Sequence, residues 1–81
     1  MKMKQIIFIQ HALDRLQERR ISIDLVKETI INPDKIDFEN KRKIAHKIVD
    51  GKLLRVIYEE DEAIVVISAY RTSQVNRYLK G

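Results

Sequence analysis

The 81-residue sequence predicts an α+β fold: a short N-terminal strand, an αα-hairpin packed on an antiparallel β-meander, and a short C-terminal helix. Two observations carry this prediction. From Lys35 onward, the spacing of apolar residues changes from the 3.6-residue period of a helix to the two-residue period of a strand. The dipeptide Asp50-Gly51 then lies between two alternating runs, as in a tight β-hairpin. The length fits one domain, residues 1–81.

The first half of the chain predicts one strand and two helices. Residues Lys4 to Ile9 are rich in β-forming side chains and predict an edge strand. A first helix is expected from about Gln10 to Arg19. A second helix begins after Ser22, a favourable N-cap residue, and ends at Asn32-Pro33 because the residue before proline avoids the helical region. Only a couple of residues separate the two helices, which makes a tight αα-hairpin.

The second half predicts the meander. Ile36 and Phe38 alternate with acidic residues, and a second alternating run precedes the Asp50-Gly51 turn. Leu53 to Tyr58 forms the return strand, and the apolar stretch from Ala63 to Tyr70 forms a strand that should be central or covered on both faces. A last short helix starts near Ser73, with three anchors: Val75, Tyr78 and Leu79.

The charge distribution is uneven. The formal net charge is +4 at pH 7, yet Glu59-Glu60-Asp61-Glu62 places four negative charges in one predicted loop, so the rest of the chain carries +8. This excess collects in clusters that include Arg19, Lys43 and Lys47. The pattern predicts a basic surface that contacts a nucleic acid or an acidic protein.

Several classes of protein are disfavoured by composition. There is no cysteine, and the longest apolar run, Ala63 to Ala69, is far shorter than the roughly 20 residues that span a bilayer. The two histidines are far apart in sequence, and the carboxylates gather mostly in one loop, so no metal-ligand spacing is present. We therefore expect a cytoplasmic protein without a membrane segment, a cofactor or a metal ion.

The first helix carries a basic ladder. His11, Arg15 and Arg19 are spaced by four residues and share one helical face, while Ala12 and Leu16 face elsewhere. Such a face suits a partner that carries phosphates. A helix face that only contacts water is the alternative explanation.

The Asp50-Gly51 turn fixes a strand register. If Val49 pairs with Lys52, His46 lies opposite Arg55 on one sheet face. A four-residue acidic loop would then place Val66, Ser68 and Tyr70 on that same face. A guanidinium beside an imidazole lowers the pKa of the imidazole and favours a neutral base. Alternatively, this part of the face is simply exposed to solvent.

These residues resemble a known group of proteins. The matching segments contain His11-Ala12, Arg15 and Arg19, then Asn32-Pro33, then Gly51 to Glu59, and finally Ile67 to Arg71. They are similar to a widespread family of small uncharacterised prokaryotic domains whose layout resembles the RelE/ParE-like toxin superfamily, including its BrnT branch. The resemblance implies a RelE-like toxin-type domain, an endoribonuclease activity in many members, and a cognate antitoxin. Arg20 stands where the family usually has glycine, which leaves open whether the turn between the helices is reshaped.

The chemistry of such a ribonuclease needs no metal. The 2′-OH of RNA attacks the adjacent phosphate, a base takes its proton, an acid protonates the leaving oxygen, and cations stabilise the added charge. The resemblance concentrates polar residues where the last strand ends and the first helix begins. We therefore expect a catalytic surface with four members: His11, Arg15, Tyr70 and Arg71. His46 and Arg55 form the alternative catalytic cluster, and the expected RNA-binding residues are Arg19, Lys43 and Lys47.

Three classes of function follow. The first is a toxin-like, metal-independent endoribonuclease whose partners are RNA and a small acidic antitoxin protein. The second is a non-catalytic RNA- or protein-binding module of the same fold. The third is an interaction domain whose basic faces contact only solvent. A homodimer through the apolar surface of the strands or the terminal helix is a further alternative.

Overall fold

The computed structural model describes residues 4–79 and has the predicted α+β architecture. Two helices in the first half precede an antiparallel meander, and a short helix follows it. The elements in chain order are β1 (Ile6–Phe8), α1 (Gln10–Arg19), α2 (Ile23–Ile31), β2 (Lys35–Glu39), β3 (Arg42–Val49), β4 (Lys52–Glu60), β5 (Ile64–Thr72) and α3 (Val75–Leu79).

The five strands form one sheet in the order β1-β5-β4-β3-β2. Strands β2 to β5 are antiparallel neighbours, while β1 pairs in parallel with β5 and forms one edge. The predicted N-terminal edge strand is therefore confirmed. The apolar strand β5 lies between β1 and β4, away from both edges, as its composition indicated.

Local sequence explains how the two helices begin and end. The Ser22 side chain accepts a hydrogen bond from the Leu25 backbone N–H at 3.1 Å and so caps the start of α2. At the end of α1, Arg20 has φ 55° and ψ 45°, a left-handed conformation. The turn between the helices thus keeps the shape that glycine would adopt most easily, with an arginine in its place.

One face of the sheet carries the hydrophobic core. Apolar side chains of α1 and α2 pack on alternate residues of β3, β4 and β5. Ala12, Val26 and Val56 have no exposed surface at the centre of this layer. On α1 the basic ladder lies away from the core, as predicted, because the buried positions are Ala12 and Leu16.

Two tight turns set the register of the meander. Asp50 and Gly51 both have positive φ, and Val49 pairs with Lys52 as predicted. His46 consequently pairs with Arg55. The first hairpin turns at Asn40, which has φ 59°, and aligns Lys35 with His46.

The prediction that Val66 lies on the same face as Tyr70 is wrong, because β5 contains a β-bulge. Ile57 pairs with Ser68 but Tyr58 pairs with Val66, so Ile67 has no partner in β4. This extra residue reverses the alternation of β5. Tyr70 lies on the expected face with Arg55, whereas Val66 is fully buried under the helices.

The acidic run is also placed differently from the prediction. Glu59 and Glu60 belong to β4, and only Asp61 to Ala63 form the turn. Glu60 contacts Lys4 at 3.0 Å and Lys43 at 2.7 Å. These hydrogen-bonded cations lower the pKa of Glu60 and allow its charge to lie within a strand.

None of the helices in residues 4–79 is long and apolar enough to cross a membrane.

Candidate functional site

The sheet has a second face that α1 and α2 do not cover, which we call the open face. It is formed by the residues that alternate with the core positions, so Arg55 lies between the buried Leu54 and Val56 in sequence. Most of this face carries aliphatic and charged side chains. The short helix α3 covers only one part of it.

Polar side chains of three strands form a row under α3. His46 of β3, Arg55 of β4 and Tyr70 of β5 are direct neighbours in the ladder. Arg55 donates a hydrogen bond to the Tyr70 hydroxyl. Its guanidinium carbon lies 3.9 Å from the centre of the Tyr78 ring, a cation–π contact. We call these four residues the cross-strand cluster.

His46 is the innermost member of the cluster, with 0% of its surface exposed. Its Nε2 lies 3.0 Å from Oδ2 of Asp37, but the angles do not form a hydrogen bond. Burial lowers the pKa of His46 from its ordinary value, and Arg55 lowers it further, against the attraction of Asp37. The imidazole is therefore neutral near pH 7 and able to accept a proton.

The cluster contains buried polar atoms without hydrogen-bond partners. Within residues 4–79, these are Nδ1 of His46 and Nε of Arg55, while Nε2 of His46 has only the poorly aligned carboxylate of Asp37 at 3.0 Å. A buried polar atom left unpaired costs about 1–3 kcal/mol, and proteins contain few of them. Neighbouring Leu53 is fully buried and apolar, which shows that this part of the face could hold aliphatic residues instead.

The pKa of Tyr70 is shifted upward, whereas that of His46 is shifted downward. Burial raises the pKa of the Tyr70 phenol, and hydrogen bonding with Tyr78 raises it further, while Arg55 opposes both. The phenol thus keeps its proton at neutral pH and can give it only to a stronger base, such as a leaving alkoxide oxygen. A base and an acid flank one fixed cation in the cluster.

The helix α3 is the cover of the cluster. It has five residues, none of them buried. Apart from the Tyr78 ring over Arg55, it is held by Lys35, whose Nζ donates to the Tyr78 carbonyl at 3.0 Å. A five-residue helix with no buried side chain opens at low free-energy cost.

The expected surface of His11, Arg15, Tyr70 and Arg71 is divided between two sides of the sheet. Tyr70 lies on the open face, whereas α1 packs on the opposite face. His11 is exposed near the start of α1, and Arg15 makes an ion pair with Glu18 at 3.1 Å. The structure thus brings Tyr70 together with the alternative pair, His46 and Arg55.

Arg71 and Arg19 connect β5 to the end of α1. Arg71 donates to the carbonyls of Arg19 and Arg20, both at 2.9 Å. Arg19 donates to the carbonyl of Ala69 at 2.8 Å. The last carbonyls of a helix lack partners within it and attract cations. These contacts give both arginines a structural role.

The expected RNA-binding lysines also contact their own chain. Lys43 Nζ lies 2.7 Å from Glu60 and 5.6 Å from the centre of the Phe38 ring. Lys47 Nζ donates to the Asn32 carbonyl at 3.1 Å.

Sequence reasoning missed three participants in the site: Lys35, Asp37 and Tyr78. The first two could have been found from Asn40, a residue that tolerates positive φ and fixes the register of β2 against β3. For Tyr78 the sequence predicts only a role as an anchor of the last helix. Across the described ranges, no three histidine or carboxylate side chains gather closely enough to hold a metal ion.

Comparison with known proteins gives one match. The model of a domain family of unknown function, DUF4258, covers residues 8–71. Neither a curated protein nor a solved structure matches the chain.

Proposed function

The chain belongs to the family DUF4258, and we propose from its geometry that it is a toxin-like endoribonuclease that cleaves RNA without a metal ion. The site is the cross-strand cluster. His46 acts as the base, Tyr70 as the acid, and Arg55 as the cation that stabilises the reacting phosphate.

The observation that carries this proposal is the row of unpaired polar groups beneath α3. A structural cluster would satisfy its buried hydrogen-bonding atoms, because leaving them unpaired destabilises the fold. Here the unpaired atoms belong to the two residues with proton-accepting and phosphate-binding chemistry, His46 and Arg55. A phosphodiester with its neighbouring 2′-OH would supply partners to both.

The proposed reaction is an internal transesterification. His46 takes the proton of the 2′-OH, and the 2′ oxygen forms a bond to the adjacent phosphorus. The bond from phosphorus to the 5′ oxygen breaks, and Tyr70 gives that oxygen its proton. The products are a 2′,3′-cyclic phosphate and a 5′-OH end. Arg55 donates hydrogen bonds to the phosphorane oxygens.

Substrate reaches His46 in this proposal only when α3 moves away. Tyr78 lies over Arg55, and the centres of the Tyr78 and His46 rings are 6.2 Å apart. Displacing α3 would free the guanidinium that the Tyr78 ring now contacts. The small buried contribution of α3 makes this displacement compatible with a folded sheet.

The test is cleavage of a single-stranded RNA by the full chain in the presence of a chelator. We expect products with 2′,3′-cyclic phosphate ends, and no cleavage when the 2′-OH next to the scissile phosphate is replaced by hydrogen. His46→Gln and Tyr70→Phe should each reduce the rate by about 10²–10⁴-fold. His11→Gln is the matched control, because it removes the exposed histidine of α1 and should leave the rate unchanged.

Two results would overturn the proposal. One is cleavage of the 2′-deoxy RNA at the normal rate, which would require another nucleophile. The other is full activity of His46→Gln and Tyr70→Phe together with loss of activity in His11→Gln, which would move the reaction to α1. Thermal melting of each variant separates lost catalysis from lost folding.

A non-catalytic RNA- or protein-binding module is the second candidate. It is favoured by the complete burial of His46, which the present position of α3 keeps from any ligand. In that case RNA or a protein would bind, and no RNA would be cleaved. Binding measured with uncleaved 2′-O-methyl RNA, alongside the cleavage assay, distinguishes the two candidates.

The proposed protein partner is a small acidic antitoxin. Outside the Glu59 to Glu62 segment the chain carries +8, which suits a negatively charged partner. Co-purification with the product of a neighbouring gene tests this proposal, and the affinity of such a complex should fall as salt is added. Recovery of the chain alone or as a homodimer from its native gene context would contradict it.

A further inference from the structure

The open face contains a groove beside the cross-strand cluster. Its floor is formed by Ile44 and Ile57, which are partners in the ladder. Its rim carries Arg42 and Glu59, and the β2–β3 turn closes one end. The cavity volume is about 470 Å³, within the roughly 300–1,000 Å³ usual for small-ligand sites.

The groove and the cluster lie along the same two strands. Ile44 precedes His46 by two residues, and Ile57 follows Arg55 by two residues. Consecutive residues on one strand face are about 6.6–6.8 Å apart, so the groove begins one side chain away from the cluster. A phosphate on Arg55 would therefore leave an adjoining base within reach of the groove.

The rim of the groove has a donor beside an acceptor. Nε of Arg42 lies 3.3 Å from Oε2 of Glu59, and both side chains are about half exposed, so a ligand can reach them. Within the described part of the chain, the other oxygen, Oε1, has no side-chain partner. Among the four RNA bases, guanine presents two adjacent donors, N1–H and N2–H, that match a carboxylate, and its O6 accepts from an arginine.

We propose that the groove is a base subsite that accepts the guanine next to the scissile phosphate. The aliphatic floor contacts the face of the base, Glu59 accepts from its N1–H and N2–H, and Arg42 donates to O6. This inference rests on the proposed function, because it takes the phosphate on Arg55 as its neighbour. The groove would thus determine which phosphodiester is cut.

The experiment compares single-stranded 2′-O-methyl heptanucleotides of uridine that carry one central G, A or C. These RNAs cannot be cleaved, so binding is measured apart from catalysis. We expect the full chain to bind the guanine-containing RNA at least about fivefold more tightly than the adenine-containing RNA. Glu59→Gln should bring the two affinities together, whereas Glu62→Gln, an exposed carboxylate in the adjoining turn, should keep the difference.

The outcomes separate this inference from the proposed function. Equal affinity for all bases, or the same guanine preference in Glu59→Gln, overturns the subsite even if RNA is cleaved. A guanine preference that depends on Glu59, without cleavage of any 2′-OH RNA, supports the subsite and overturns the endoribonuclease. If the chain binds none of these RNAs, the subsite is wrong, and the cleavage assay with 2′-OH RNA decides the endoribonuclease separately.

Discussion

Arg55 and Arg71 lie on neighbouring strands but on opposite faces of the sheet, and they differ in burial and in hydrogen bonding. Arg71 is exposed and donates to two carbonyls at the end of α1. Arg55 is partly buried between two tyrosine rings, and its Nε has no partner among the described residues. The first arginine completes the hydrogen bonds of a helix, and the second leaves hydrogen-bonding capacity unused.

This difference separates an arginine whose hydrogen bonds the fold satisfies from one that keeps an unpaired donor for a ligand. A position within the family match alone does not decide the role, since Arg71 and Arg55 both fall within residues 8–71, which the family model covers. The deciding property is whether the charge is already matched by the fold. Arg19 and Arg71 donate to backbone carbonyls, whereas Nε of Arg55 has no partner among the described residues.

The largest expected effect is on RNA cleavage, which should depend on the cross-strand cluster and not on α1. Arg55→Gln should reduce RNA cleavage by about 10²–10³-fold, because in the proposed reaction Arg55 is the cation that stabilises the phosphorane. Arg15→Gln removes a partly exposed cation of α1 that pairs with Glu18, and it should change the rate by less than about twofold. Initial rates at saturating RNA provide the measurement. A larger loss in Arg15→Gln than in Arg55→Gln would reverse the comparison.

The pH dependence of stability should report on the burial of His46. The pKa of His46 is lowered in the folded state, so the unfolded chain binds a proton more readily. The free energy of unfolding should therefore fall as the pH decreases below about 6.5, the ordinary histidine value, and level off below the folded pKa. Urea denaturation at pH 7.5 and 5.5 measures the effect. His46→Gln should reduce the dependence, and its persistence in that variant would contradict the assignment.

Arg71→Ala should lower the free energy of unfolding by about 1–2 kcal/mol. It removes two hydrogen bonds to carbonyls at the C-terminal end of a helix, where a cation is favoured. RNA cleavage measured well below the melting temperature should be retained. A variant that keeps its stability but loses cleavage would instead place Arg71 in the site, as the motif indicated.

The smallest expected effect is a gain in stability. Arg20→Gly should raise the free energy of unfolding by about 0.5–1 kcal/mol, because glycine adopts positive φ without the cost that arginine has there. For a domain of this size that corresponds to a melting temperature higher by roughly 2–8 °C. Calorimetry of the two proteins tests it, and a lower melting temperature would show that the Arg20 side chain makes a stabilising contact.

Much of the fold could be predicted because its determinants are local in sequence. Ser22 and Asn32-Pro33 mark where α2 begins and ends, and Asp50-Gly51 fixes the register of β3 against β4. That register was sufficient to predict the pairing of His46 with Arg55. Tight turns are this informative because only a few residue types tolerate positive φ.

The other parts of the site depend on contacts between distant residues. Glu60 was assigned to a loop because nothing near it in sequence shows that Lys4 and Lys43 neutralise it. The sequence also does not predict the position of α3, because five residues are too few for a periodic pattern to show which side of the helix contacts the sheet. Tyr78 could therefore not be placed over Arg55 from the sequence.

The bulge in β5 has a consequence for insertions and deletions. Ile67 is an extra residue that the ladder with β4 does not pair, so deleting it would restore regular alternation without changing the face of any other side chain. Deleting Ala69 or Tyr70 would instead exchange the residues that lie under α1 with those under α3. Strand β5 thus contains one position, Ile67, where the chain can lose a residue without a change of face. A deletion at a paired position of β5 would move side chains from one face of the sheet to the other.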